Sequence, residues 1–252
     1  MPRSRFATTF ATLFFMGMAA QANPLSDRLT IDLEWGTARQ LRNDVQSPNS
    51  AAGTRFSLDG LTGQGSPSAP RLELAWRLNP NDDLRLVAAP LQLKGQGSLP
   101  ENVNYEGRTF AAGTTSAIYR FDSYRATWRR TVSQRDDWVL KAGVTGKIRD
   151  AEITLQQGGV NATRSDVGFV PLLHVHALRQ LDHRSRLTFD ADGLASPRGR
   201  ALDLSLRYVR DFGHKVSGFA GVRVLDGGAD NDSVYNFARF QYVTVGLSIK
   251  GY

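Results

Sequence analysis

Two histidines and three aspartates hold this chain's most concentrated potential for chemistry. His174 and His176 stand two apart in one extended segment, and Asp190, Asp192 and Asp203 lie on the polar parity of the two segments that follow. Residues two apart on a strand face the same way. A tight turn at Asp182-His183-Arg184-Ser185, its register adjusted by one residue to align the parities, sets His174 or His176 opposite Asp190 or Asp192, and the link from Ala195 to Arg200 brings Asp192 across from Asp203. A His–Asp pair makes a general base, and a neighbouring carboxylate raises another's pKa, so the group has the parts to position and activate water near the outer rim of a barrel. The same residues can instead form lumen ion pairs with Arg207 and nearby lysines, the common filling of a narrow barrel. His174 and His176 have no evident third or fourth metal ligand, and no cofactor motif accompanies them; the expected cofactor and metal complement is none. Gly227-Gly228-Ala229-Asp230-Asn231-Asp232 is rich in oxygen ligands but lacks EF-hand spacing and reads as a turn.

The elements that must position these residues are strands. Apolar residues recur at every second position, the period of a strand and not of a helix. Leu29, Ile31, Leu33 and Trp35 alternate with polar neighbours, as do Leu72, Leu74, Trp76 and Leu78, and later Val243, Val245, Leu247 and Ile249. The pattern predicts ten strands: Leu29–Arg39, Arg71–Leu78, Leu84–Leu93, Ile118–Val132, Trp138–Arg149, Phe169–Leu181, Arg186–Leu194, Ala201–Asp211, Lys215–Leu225 and Asn236–Lys250. Thr54–Leu61 and Tyr105–Phe110 also read as extended, which leaves eight or twelve strands as alternatives. Pro90 and Pro171 fall inside predicted strands, where proline loses a ladder hydrogen bond and marks a bulge or an end.

Two kinds of connection alternate along the chain. Short polar turns follow Leu78, Val132, Leu181 and Arg210, and mostly longer links lie between them: Gln40 to Pro70, Lys94 to Ala117, Ala151 to Gly168 and Gly227 to Tyr235. An even number of antiparallel strands with short turns at one end and long loops at the other is the arrangement of single-chain bacterial outer-membrane barrels.

The amino terminus agrees with export. Arg3 and Arg5, the apolar run Phe6 to Met18 and Ala20-Gln21-Ala22 follow the order of a secretory signal peptide, so residues 1–22 read as a signal and 23–252 as one barrel domain. Cleavage there lowers the formal charge from +7 to +5. With no cysteine in the chain, the exported fold relies on hydrogen bonds and packing instead of disulfides. Basic and acidic residues are interspersed, without the dense basic patch that nucleic acid requires, and no apolar run is long enough for a membrane helix.

Alternation alone does not say which face looks outward. Trp76, Trp128, Trp138 and Tyr208 lie on the apolar parity near short turns, as an interfacial girdle would place them; Tyr119, Phe121, Phe237 and Phe240 near the opposite ends supply a candidate second girdle. The polar parity carries Asp32, Glu34, Glu73, Arg77, Arg85, Arg125, Arg129, Lys141, Lys147, Arg207 and Arg223 besides the three aspartates, more charge than a dry soluble core accepts.

Signal segment, alternating strands, and short turns against long loops together make the chain resemble the small bacterial outer-membrane barrels of the OmpA and OmpX type. That resemblance implies an all-β, antiparallel transmembrane barrel in the outer membrane, monomeric, with outer-membrane lipid and the barrel-assembly machinery as partners. Its function would be structural, surface-exposed or small-solute passage. Such proteins end on an aromatic in phase with the last strand; Tyr252 is out of phase with Val245, Leu247 and Ile249, a departure from the assembly signal. Omptin proteases use carboxylates and a His–Asp pair at the rim of a ten-stranded barrel, which implies a hydrolase as one alternative. A soluble periplasmic lipocalin-like ligand binder, its greasy faces turned inward, is the other.

Overall fold

A computed structural model describes residues 28–63 and 65–251; the expected signal segment and Tyr252 lie outside the described residues. In chain order the elements are β1 (Leu29–Gln46), β2 (Phe56–Ser57), α1 (Asp59–Thr62), β3 (Arg71–Arg77), β4 (Asp82–Ala89), β5 (Gln92–Leu99), β6 (Val103–Tyr105), β7 (Arg108–Phe110), β8 (Gly113–Arg135), β9 (Trp138–Gln157), β10 (Val160–Gln180), β11 (Ser185–Ser196), β12 (Gly199–Asp211), β13 (Val216–Asn231) and β14 (Val234–Lys250).

The wall runs antiparallel from β1 through β3, β4, β8 and on in sequence to β14, which closes on β1 from Thr30 opposite Lys250 to Gln46 opposite Tyr235. Pro90 interrupts one wall position, so β4 and β5 both lie along β8. Among the described residues the ring therefore has ten positions, and the eight- and twelve-strand alternatives fall. Thr54–Leu61 and Tyr105–Phe110 do not join the wall: the first holds β2 and α1, and the second is part of the separate β6–β7 hairpin.

Closure of β14 on β1 pairs the strands around the ring through the apolar belt and satisfies the backbone there, as hydrocarbon demands. The outward face decides the solvent. Val144 is 54% exposed, Leu173 62% and Val245 58%, and the apolar belt they belong to encircles the wall. On β9 it runs from Trp138 to Ile148, the roughly 9–11 residues a tilted strand needs to cross a bilayer. The greasy faces point out, so the lipocalin-like alternative is corrected. Trp76, Trp128, Trp138 and Tyr208 all face outward near the short turns, as a girdle does. At that end Asp182 caps its turn by accepting the Arg184 and Ser185 amides at 2.7 and 2.9 Å, which holds its carboxyl below the usual range.

Above the belt the polarity inverts. On β8 the inward residues change from Arg129, Thr127, Arg125 and Ser123 to Phe121, Tyr119 and Ala117, while the outward ones change from Trp128 and Tyr124 to Asp122, Arg120 and Ser116. The strands leave the membrane there and continue as a barrel in water with an apolar interior. This corrects two expectations. Tyr119 and Phe240 form no second girdle; they are buried inside, their rings stacked 5.9 Å apart. Most residues assigned to long loops are strand, and β9 and β10 turn on Gly158 and Gly159 alone, both at positive φ, the backbone a tight hairpin requires. Pro171 ends nothing on β10, whose register against β9 is unbroken; it lies just beyond the last β10–β11 pair, Leu173 with Gly193.

Residues 47–63, residues 65–70 and the β6–β7 hairpin fold into the outer mouth. Leu58, Leu61, Val103, Tyr105 and Phe110 pack with Tyr119, Leu155 and Phe240 into one apolar plug. Tyr105 donates its hydroxyl to the Ile153 carbonyl at 3.1 Å, and burial pushes its phenol pKa up. The plug sits flush on β5 because Gly95 and Gly97 face inward: a Cβ on either would meet the Leu61 or Gly60 carbonyl oxygen at 2.2 or 2.1 Å. Gly97→Leu is accordingly expected to expel α1 while the wall stays closed. Limited proteolysis should then cut within residues 47–70 of a barrel that still shifts on boiling; resistance equal to the parent would contradict the packing.

Candidate functional site

The β10–β11 ladder sets His174 opposite Asp192 and His176 opposite Asp190, and the β11–β12 ladder sets Asp192 opposite Asp203. All five sequence-derived residues therefore meet. His174 Nδ1 lies 2.8 Å from Asp192 Oδ1 and His176 Nδ1 3.0 Å from Asp190 Oδ1. His174 Nε2 approaches Asp190 at 3.7 Å.

Each carboxylate is also bound by groups from across the lumen. Thr145 donates to Asp192 Oδ1 at 2.7 Å, and Arg125 Nη1 reaches Asp192 Oδ2 at 3.0 Å while its other Nη bonds Asp203. Arg223 clamps Asp203 with both Nε and Nη2, at 2.7 and 2.6 Å. Arg129 spans Asp190 and Asp83 at 3.4 Å each, and Lys141 also binds Asp83. Beside this group Arg85 grips Glu73 bidentately at 2.6 and 3.0 Å, Arg71 adds a contact at 3.3 Å, and Arg207 joins Glu34 at 2.6 Å and Asp32 at 3.3 Å. The result is a cross-braced lattice of opposite charges, the arrangement that makes buried ions tolerable.

The lattice sits at the middle of the wall. His174 is the ladder partner of Gly143, the midpoint of the outward apolar run on β9. This corrects the expected position at the outer rim: the apolar plug lies between the Asp/His group and that end. Below the lattice a polar vestibule of about 330 Å³ faces the short-turn end, and His176, Asp190, Asp83 and Lys141 line it. Among the described residues no three His, Asp or Glu side chains are arranged to hold a metal ion. The 227–232 segment is the end of β13 and its turn, where Asn231 Oδ1 accepts the Ser233 and Val234 amides.

Four lattice members were not singled out from sequence, Asp83 among them because it stands at the end of the predicted turn after Leu78. Arg71 opens its strand and carries no alternation of its own to read. Thr145 is uncharged, and Ser123, which accepts from Arg125 Nε at 3.2 Å, stands where the interior changes from polar to apolar. Their inward parity was the available signal.

No family model matches the chain, and no curated protein matches it in sequence. Among solved structures it is similar to the outer-membrane protease OmpT of Escherichia coli, with a TM-score of 0.54 at 8% identity over 90% of this chain and 97% of that one. The chain has the fold of a bacterial outer-membrane β-barrel. The attachment invasion locus protein Ail of Yersinia pestis also matches, at a TM-score of 0.41 and 8% identity over 88% of this chain and 99% of that one. At such identities the likeness is one of architecture, so function must be argued from this chain's own side chains.

Proposed function

We propose that this protein is a monomeric outer-membrane barrel of the bacterial envelope with a closed lumen, whose role is structural or at the cell surface, not solute passage. The observation that carries the reading is the filled interior: an ion-paired lattice occupies mid-wall, and an apolar plug of Tyr105, Phe110, Tyr119 and Phe240 stands above it. A path for water or solutes would have to break both layers. The apolar belt supports outer-membrane lipid as its surroundings, and a barrel of this kind calls for the barrel-assembly machinery.

A hydrolase like OmpT is the competing reading. It is disfavoured because Asp192 and Asp203 spend their oxygens on Arg125, Arg223, Thr145 and His174, beneath the plug and away from any outer-face substrate. A general base must reach the proton it removes.

The experiment is paired. On a denaturing gel, the outer-membrane fraction should give a band that shifts on boiling, and the purified protein in a planar lipid bilayer should give no conductance steps. Reproducible ion-conducting steps would overturn the closed lumen. A soluble, unshifted protein in the periplasm would overturn the membrane reading itself.

A further inference from the structure

The wall has one lateral notch with a built interior. The β10–β11 ladder stops at Leu173 and Gly193, yet β10 continues to Val160 while β11 turns back into β12 after Ser196. Above the last pair the two strands part, and behind the gap lies a cavity of about 400 Å³ bounded by β10, the β11–β12 tip, β13 and β14. Phe121, Phe169, Leu194, Leu225 and Phe240 give it mainly apolar walls. Phe169, 70% exposed, stands at the gap as part of the lipid-facing surface.

Among the described residues one buried side chain in this cavity has no anionic counterpart. Lys147 is 3% exposed and lines the cavity, and its ammonium rests 4.9 Å from the centre of the Phe121 ring. Among the described residues no carboxylate lies within ion-pair distance of it and no hydrogen bond reaches it. Asp203, whose charge acts on it, is already held by Arg125 and Arg223. Arg149 and Arg200, also on the lining, are taken by Asp166 and Asp226. A buried ammonium without a partner is costly, and everywhere else in this lumen buried cations are matched. A mainly apolar pocket with a convergent charge is the form of a small-molecule site.

We infer that this notch is a binding site for a single-chain amphiphilic anion, such as a medium-length alkyl carboxylate, that enters sideways from the outer leaflet. Its acid group pairs with Lys147, and its chain lies along Phe121, Phe169, Leu194 and Leu225 toward the gap. At about 30 Å³ for each water-sized group, the cavity holds roughly a dozen non-hydrogen atoms, enough for one such chain and too few for a multi-acyl lipid. The inference rests on the fold and the notch, not on the closed lumen, so a conducting barrel that bound this ligand would fail only the earlier reading.

The test uses dodecanoate and its uncharged analogue dodecanol, with the purified barrel in a neutral maltoside detergent and titration calorimetry as the readout. Saturable one-to-one binding of dodecanoate is expected, at least tenfold tighter than dodecanol. Lys147→Met keeps the chain's bulk and removes its charge; it should lose at least tenfold in dodecanoate affinity and make the two ligands equal, while Lys147→Arg retains the preference. Dodecanoate should raise the thermal unfolding temperature, followed by tryptophan fluorescence in the same maltoside, in the parent and not in Lys147→Met, whose own unfolding temperature without ligand should exceed the parent's because an unpaired buried charge is gone. Val170→Trp, which fills the cavity and leaves the lysine in place, should abolish binding of both ligands. Absence of saturable binding to the parent, or unchanged dodecanoate affinity in Lys147→Met, would overturn the proposal.

Discussion

Replacing Arg125 with leucine is expected to destabilise the barrel by about 3 kcal/mol, at the lower edge of the roughly 3–5 kcal/mol lost when one partner of a buried ion pair is removed. Arg125 is the brace between two aspartates: its guanidinium bonds Asp192 and Asp203 together, and its Nε donates to Ser123. It is 4% exposed, so water cannot take its place. The loss falls at the lower edge because both acids keep other partners, Thr145 and His174 on Asp192 and Arg223 on Asp203. Asp192→Asn added to Arg125→Leu should recover part of the loss, since it removes one of the two charges left unbraced. The contrast is Arg130, whose side chain is 59% exposed in its pair with Asp82 at the short-turn end; Arg130→Ala should cost no more than about 1 kcal/mol, as exposed pairs do. Urea unfolding followed by tryptophan fluorescence measures all three. If Arg125→Leu costs no more than Arg130→Ala, the lattice is not what braces the lumen.

Much of this lattice was legible in the sequence, because a strand's period is 2 and a hairpin of known turn length fixes who faces whom. Asp182 to Ser185 brought His174 and His176 opposite the aspartates only once the register was shifted by one residue, as the ladder has it, and strict parity identified the inward charges from Glu34 to Arg223. The parity read on polarity failed only where the solvent changes. Below Tyr124 on β8 polar means inward; above Asp122 apolar means inward. Tyr119 shares the parity of Arg125 and Arg129, so its inward direction was available from spacing although its chemistry pointed the other way. The same inversion hid the extensions of β9, β10 and β13 above the membrane, whose outward polar residues read as loop.

Other features were out of reach for a different reason: they depend on segments far apart in sequence. The alternation Lys94-Gly95-Gln96-Gly97-Ser98 shows glycines on one face, but only the approach of α1 reveals what those glycines admit. Lys147 carried the right parity for a lumen charge. That it lacks a partner follows from the separation of β10 and β11 above Leu173, which no local pattern encodes. The position of the Asp/His group failed similarly: its ladder partners were correct, while its depth below the plug depended on residues 56–62 and 103–110 folding inward.

The outward belt itself yields the second large effect. Val144 faces outward between Trp128 and Leu173, level with the lattice and near the middle of the apolar run. In a water-soluble barrel a 54%-exposed valine would tolerate arginine within about ±0.5 kcal/mol, as surface positions do, and the added charge would favour solubility. In a bilayer the same guanidinium meets hydrocarbon, so Val144→Arg is expected to cost about 2–4 kcal/mol, the range for a basic residue on the lipid face at midplane. Gln156 supplies the internal control: it lies on the same strand and is exposed, but above the inversion of polarity. Gln156→Arg should be nearly neutral in the same lipid vesicles. The difference between the two variants, measured as a shift in urea midpoint at constant slope, reports depth, because strand, substituted residue and outward exposure are shared while the surrounding solvent is not. Equal midpoints would place both positions in water and remove the membrane belt from under every reading built on it. A difference near the full range fixes Val144 in hydrocarbon, and with it the mid-wall level of the ion-paired lattice, where no bulk water is on hand to replace a missing partner.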